Sequence, residues 1–418
     1  MAIVSGPLKR SSLDSLCAQA RDAGVPVLYT HSVGFYSSLS LQVAAEFPIV
    51  ETHPDPETTQ DLRLVNPWPE LLAAAARVDN LDSLDDHEHG HVPYVLLILH
   101  FLERWKSNHD GKVPVNYKEK SEFRELVRSG ARVNNPQGGE ENFDEAVGAV
   151  LKALNPFSLR SSLRDVFEME ECNNPSPNSN NFWLIASAVK GFYNKYGVLP
   201  LPGSLPDMKA QSEDYVSLQN VYKAKSKKDL TEVIETVRNL ESQLGPREGS
   251  PIPEKEIEVF SKNAAHIKVV HGREIPRIYE QDASVIKSVQ SNLGFPDSLI
   301  PVFIAFQVLD GVVSEIQEGE QPGGSLHDNT TWKTQLGRAL GYITHQDQSA
   351  VDEESRERIE QAIEEVRRAD GGELHNISAL TGGMVAQEAV KVITRQYVPL
   401  DNTCIFDGVR SRSEMVKL

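Results

Sequence analysis

The chain has 418 residues, 39% hydrophobic and 24% charged, an ordinary globular composition with length enough for two or three domains. Its 60 acidic and 42 basic residues leave a net charge of −18, the wrong sign for gripping a phosphate backbone. Three widely spaced cysteines (Cys17, Cys172 and Cys404) read as free thiols in a reducing compartment, and the opening MAIVSGPLKRSS lacks the apolar core of a secretory signal.

In chain order, AIV predicts a short strand, SSLDSLCAQARDAG an amphipathic helix closed by Gly24, VPVLYT a second strand and GFYSSLSLQVAAEF a third. Such a strand–helix–strand unit builds parallel sheets. A doubly wound sheet normally opens on a glycine-rich phosphate loop, and no G-x-G triple occurs in this sequence, so the walk of the sheet starts in its middle. From about residue 55 to 370 the pattern is helical. Helices are expected over 93–106, 117–130, 143–154, 159–170, 182–196, 213–243, 254–268, 297–316, 330–345 and 351–369. The run VPYVLLILHFLERW at 92–105 is broken by His100 and Glu103 and suits a core helix, since a membrane span needs about 20 apolar residues. The segment EGEQPGGSLHDN at 318–329 reads as a disordered loop. After 370 the α/β character returns with SALTGGMVAQEAVKVITRQYVPLDNT and two strand-like runs, NTCIFDG and EMVKL. The expected organisation is therefore a discontinuous α/β domain, 1–54 and 371–418, around a helical insertion, 55–370.

Few residues offer chemistry. DDHEHGHVP spaces His87, His89 and His91 two apart, and in an extended segment the three imidazoles would face one way and could hold zinc. A polar loop ahead of the apolar helix, with Pro93 in its first turn, is the better reading. Cys172 follows EMEE, which disfavours thiolate, while Cys17 and Cys404 look like packing residues. No metal site and no catalytic residue is expected, and no G-x-S-x-G, H-E-x-x-H or P-loop pattern is present. In LPLPGSLPDMKAQSEDYVSLQNVYKAKSKKD (199–229), Tyr215, Leu218, Gln219 and Tyr222 fall on one helical stripe, which spacing alone assigns to the core. The helix with Gly382 and Gly383 near its head is the oddest element. Glycine inside a helix costs about 0.5–1 kcal/mol relative to alanine, so Gly382, Gly383 and Ala386 predict a helix pressed against another backbone.

GGMVAQEAVKVITRQYVPLDNT resembles the G-G-x-x-A-Q-E-x-x-K-x-I-T segment of adenylation-type domains in ubiquitin-like-modifier activating enzymes. ETHPDPETTQDLRLVNPWPEL (51–71), DHEHGHVPY, YKEKSEFRELVRSG, EENFDEAV, FWLIASAVKGF and the 199–229 segment are similar to the regulatory subunit of the heterodimeric neddylation-activating enzyme. The resemblance runs from near residue 1 to Leu418 and is weakest over 275–370. It implies a partial Rossmann-like, ThiF/MoeB-type adenylation fold, catalytically silent, split by an all-α insertion similar to a catalytic-cysteine domain without its nucleophile. It also implies further strands and helices ahead of residue 1. The partner subunit would bind ATP and Mg, adenylate the modifier and take it as a thioester. This chain would complete that subunit, without activity alone, in the cytoplasm or nucleus. Carried over from the family, His91, Asp207, Met208, Tyr215, Leu218, Gln219 and Asn220 would contact the partner. The resemblance puts the Gly382–Gly383 helix near the junction of the paired folds. The rivals are a regulatory subunit for the SUMO modifier, a self-sufficient adenylating enzyme and an unrelated helical scaffold.

Overall fold

A computed structural model describes the chain except residues 56–60, 79, 135–138, 247–249, 281, 319–325 and 345–350. Most of the loop expected at 318–329 therefore lies outside the described residues. The elements in order are β1 (Ala2–Ser5), α1 (Arg10–Asp22), β2 (Val27–Val33), β3 (Tyr36–Gln42), β4 (Phe47–Val50), α2 (Pro69–Ala75), α3 (Asp86–His89), α4 (Tyr94–Ser107), α5 (Tyr117–Arg128), α6 (Glu141–Ala153), α7 (Ser161–Glu168), α8 (Glu170–Asn173), α9 (Asn181–Tyr196), α10 (Ser212–Leu244) and α11 (Glu254–Lys262). There follow β5 (Ile267–Val270), α12 (Ala283–Leu293), α13 (Ile300–Glu318), α14 (Asn329–Ile343), α15 (Glu353–Ala369), α16 (His375–Thr394), β6 (Thr403–Asp407) and β7 (Arg412–Val416). Two compact units result, Met1–Ile49 with Val269–Leu418, and Val50–Lys268. The chain is thus a mixed α/β protein.

The first unit is built on a five-stranded sheet in the order β1-β2-β3-β6-β7. Only β1 and β2 run parallel, as the strand–helix–strand rhythm predicts; β2–β3, β3–β6 and β6–β7 are antiparallel. The β2–β3 turn needs Gly34, at φ +57°, where a Cβ would also stand 2.9 Å from Ala369 Cβ. Alternation gives the sheet two apolar faces. On one, Val33, Ile405 and Val416 pack with α12–α15. On the other, Leu28, Leu39 and Leu41 pack with Val385, Ala389 and Val392 of α16. Helices α12–α15 therefore belong to the sheet-bearing unit, not to the expected 55–370 insertion. Helix α13 is apolar nearly all round and buries itself against the sheet, as a helix of that kind must. By length and composition Ile300–Gln317 could cross a membrane, yet 78% of it is buried inside the protein. A polar cluster pins it. Asp310 accepts from the Tyr29 hydroxyl at 3.0 Å and the Leu8 N–H at 3.2 Å, and lies 3.0 Å from His31 Nε2. Burial, then the Asp310 charge, raises the Tyr29 pKa, so the phenol stays protonated and donates.

The second unit is helical. Its core gathers Leu97, Phe101, Phe123, Phe143, Val150, Leu218 and Tyr222, all at most 2% exposed. Each such side chain contributes about 1.5–3 kcal/mol on burial. Tyr222 meets Trp68 edge-on at 5.0 Å and donates to the Leu62 carbonyl at 2.7 Å. Capping boxes start α3 (Asp85 with Glu88) and α5 (Asn116 with Glu119), and Gly197 at φ +70° closes α9. The expected helix 254–268 stops at Lys262, and its end becomes β5, where Ile267, Val269 and Val270 bring β-branched residues to a strand.

Candidate functional site: an exposed helix face

Helix α16 has a sharply divided surface. Ile377, Thr381, Val385, Glu388, Ala389 and Val392 are buried. At 100° per residue they form one stripe, facing the sheet. Glu388 ties that side down, accepting from Lys391 Nζ at 2.6 Å and from the Leu400 N–H at 2.8 Å. The Ser32 and Ser378 hydroxyls meet at 3.0 Å. Arg395, left-handed at φ 54°, ends the helix and lays its guanidinium 4.8 Å over Phe47.

The opposite stripe is open. Ala379, Gly382, Gly383, Ala386, Val390 and Ile393 are all exposed and fall within an arc of about 100°. Val390 is 53% and Ile393 69% accessible, and Leu380 flanks them at 45%. A Cβ at Gly382 or Gly383 would meet nothing within 4 Å. The expectation that this helix is pressed against another backbone is thus not met within the chain itself: among the described residues, no other backbone comes within 4 Å of a Cβ at either glycine. The apolar surface continues on that side of the sheet. Leu39 faces α16, its register partner is Cys404, and next across is Met415, 77% exposed. In the sequence Val390 and Ile393 read as part of a helix buried on several sides, which their exposure corrects, and Met415 carried no signal of its own.

The residues expected at a partner contact fall in the helical unit. Gln211 N–H donates to the His91 carbonyl at 3.3 Å, and Gln211 Nε2 lies 3.3 Å from His87 Nδ1, so His91 and the start of α10 are brought together. Asp207 and Asn220 are exposed, while His91, Tyr215 and Gln219 are half-buried. Leu218 (2% exposed) and Met208 (9%) are core residues, which corrects their assignment to a partner surface. Of the i, i+3, i+4, i+7 stripe, Leu218 and Tyr222 face the core, while Tyr215 and Gln219 stay half-buried at its edge.

The three histidines do not converge. Helix α3 turns His89 inward, where its Nδ1 sits 2.8 Å from Glu140 Oε1, and leaves His87 and His91 stacked at 4.2 Å. His91 Nδ1 donates to the His87 carbonyl at 2.7 Å. No group of three or more His, Cys, Asp or Glu able to hold a metal occurs among the described residues.

Nor do the thiols form a nucleophile. Burial raises the pKa of Cys17 and Cys404 and pushes Cys172 up to about 11, so at pH 7 its thiolate is about 1 part in 10⁴. In iodoacetamide at neutral pH, Cys17 and Cys172 of the native chain should stay unmodified while the denatured chain is fully alkylated, as read by intact mass. Rapid native labelling of either would show a reactive thiol.

These features define a mixed α/β protein whose most distinctive surface is an unpartnered apolar helix. No protein-family model matches the chain, but curated relatives do. It is 33% identical over 421 residues to the NEDD8-activating enzyme E1 regulatory subunit of Danio rerio, covering 100% of this chain and 77% of that one. The Xenopus laevis regulatory subunit is 32% identical at the same coverage, and the Arabidopsis thaliana regulatory subunit AXR1 is 31% identical over 414 residues, 97% and 72%. The chain belongs to the family of NEDD8-activating enzyme E1 regulatory subunits.

Proposed function

We propose that this chain acts as the non-catalytic subunit of a heterodimer that activates the neddylation modifier, docking on a catalytic subunit through the outer face of α16. The observation that carries the reading is that stripe: Gly382, Gly383 and Ala386 leave the helix backbone bare, and Val390 and Ile393 offer apolar anchors beside it. Two glycines with nothing near them make sense when the approaching backbone is another chain's. Contiguous exposed apolar surface of this kind marks an interaction site. The sheet-bearing unit is then a silent, discontinuous adenylation-type fold, and the helical unit its insertion. ATP and Mg are bound by the partner, which also supplies the thiol, in agreement with the burial of Cys17 and Cys172 here. His91, Asp207, Tyr215, Gln219 and Asn220 form a second contact at the start of α10. The cytoplasm or nucleus is the place of action. The relatives' names favour the neddylation modifier over SUMO.

Pyrophosphate exchange tests the division of labour. The chain alone should stay at background with ATP and modifier present, and exchange should rise when the catalytic subunit and the chain are combined. Robust exchange by the chain alone would overturn the reading.

A further inference from the structure

The helical unit contains a cavity of about 490 Å³ between the end of α6, the start of α7, the 199–204 loop and the segment after α11. Its size falls within the roughly 300–1,000 Å³ usual for small-molecule sites. Lys152, Arg160 and Lys262 line it. Among the described residues, none of the three is paired with a carboxylate. Arg160 instead donates to His266 Nδ1 at 3.3 Å. Burial, then the Arg160 charge, lowers the His266 pKa, so the ring is neutral with its proton on Nε2, a further donor. Two acids share the wall, Asp55 and Asp61, and Asp61 is held by Arg63 at 2.7 Å. The chain as a whole carries a net charge of −18, whereas this concavity gathers three cations and two acids.

The rest of the wall mixes polar side chains, Asn155, Ser158, Ser204 and Asn263, with an apolar part. Phe157, Pro156, Pro200 and Pro202 contribute ring surface. Phe157 is held beside Tyr193 at 6.1 Å.

We propose that this cavity binds a small organic phosphate, its phosphoryl oxygens on Arg160, Lys262 and Lys152 and its organic part against Phe157 and the prolines. A lone carboxylate would neutralise one cation of three. A phosphate carries about −1.5 to −2 charges at neutral pH and three acceptor oxygens, and a guanidinium fork matches its geometry. The site is distinct from the α16 face, and its test needs no partner.

The full chain is titrated in a calorimeter with phenyl phosphate, inorganic phosphate, benzoate and a tetraglutamate peptide. Phenyl phosphate should bind saturably and more tightly than the other three. Arg160→Ala with Lys262→Ala should weaken it at least about tenfold. Lys152→Glu, at an exposed position on a different element, should do the same and guards against a folding defect in the double variant. Absence of saturable phenyl phosphate binding, binding indifferent to both variants, or tighter binding of tetraglutamate would each overturn the proposal.

Discussion

Val390→Asp combined with Ile393→Asp should weaken association with the catalytic subunit at least about 100-fold, equivalent to ~2.7 kcal/mol, and leave the isolated chain folded. Both side chains lie on the open stripe of α16, 53% and 69% accessible, so neither supports the core. Aspartate is a poorer helix former than the best residues by at most about 0.7 kcal/mol per position. The melting temperature of the chain alone should therefore shift by only a few degrees, at about 2–4 °C per kcal/mol for a unit of this size. An apolar interface, by contrast, would have to desolvate two carboxylates, and each uncompensated charge costs several kcal/mol. Titration of the variant with the catalytic subunit and thermal melting of the variant alone separate the two effects. Wild-type affinity would remove the α16 face from the interface.

Leu218→Ala should do the opposite. Leu218 is 2% exposed and packs in the core of the helical unit beside Tyr222 and Trp68. Truncating a buried leucine costs about 2–5 kcal/mol, transfer plus cavity, which translates to a fall of roughly 4–20 °C in the melting temperature of that unit. Well below that temperature, binding to the catalytic subunit should be close to that of the unaltered chain. A normal melting curve with lost binding would return Leu218 to the partner surface implied by family resemblance.

How legible these features were depended on where their signal lay. The α10 stripe was plain, because Leu218 to Tyr222 obeys helical periodicity and periodicity alone put it in the core. Family resemblance, which carries contacts but no burial, pulled Leu218 and Met208 outward. The first parallel strand pair was legible in AIV and VPVLYT, since β1–α1–β2 is a local unit. The assignment of α12–α15 was not. Whether an apolar helix such as α13 packs on helices or on a sheet depends on Val33, Ile405 and Val416, the first distant in sequence and the others more than 80 residues on. The end of the 254–268 helix was missed because Ile267–Val270 pairs with β4, a partner more than 200 residues away. Gly382 and Gly383 were correctly odd. Sequence predicts a close approach there, and among the described residues nothing of this chain makes it.

The most direct measurement is sedimentation of the full chain mixed in equal amounts with the catalytic subunit of a NEDD8-activating enzyme. If the α16 face is a docking surface, the mixture should run as a single boundary with the summed mass of one copy of each, and the Val390→Asp, Ile393→Asp chain should run separately from the subunit. Two independent boundaries for the unaltered chain at micromolar concentration would contradict the account.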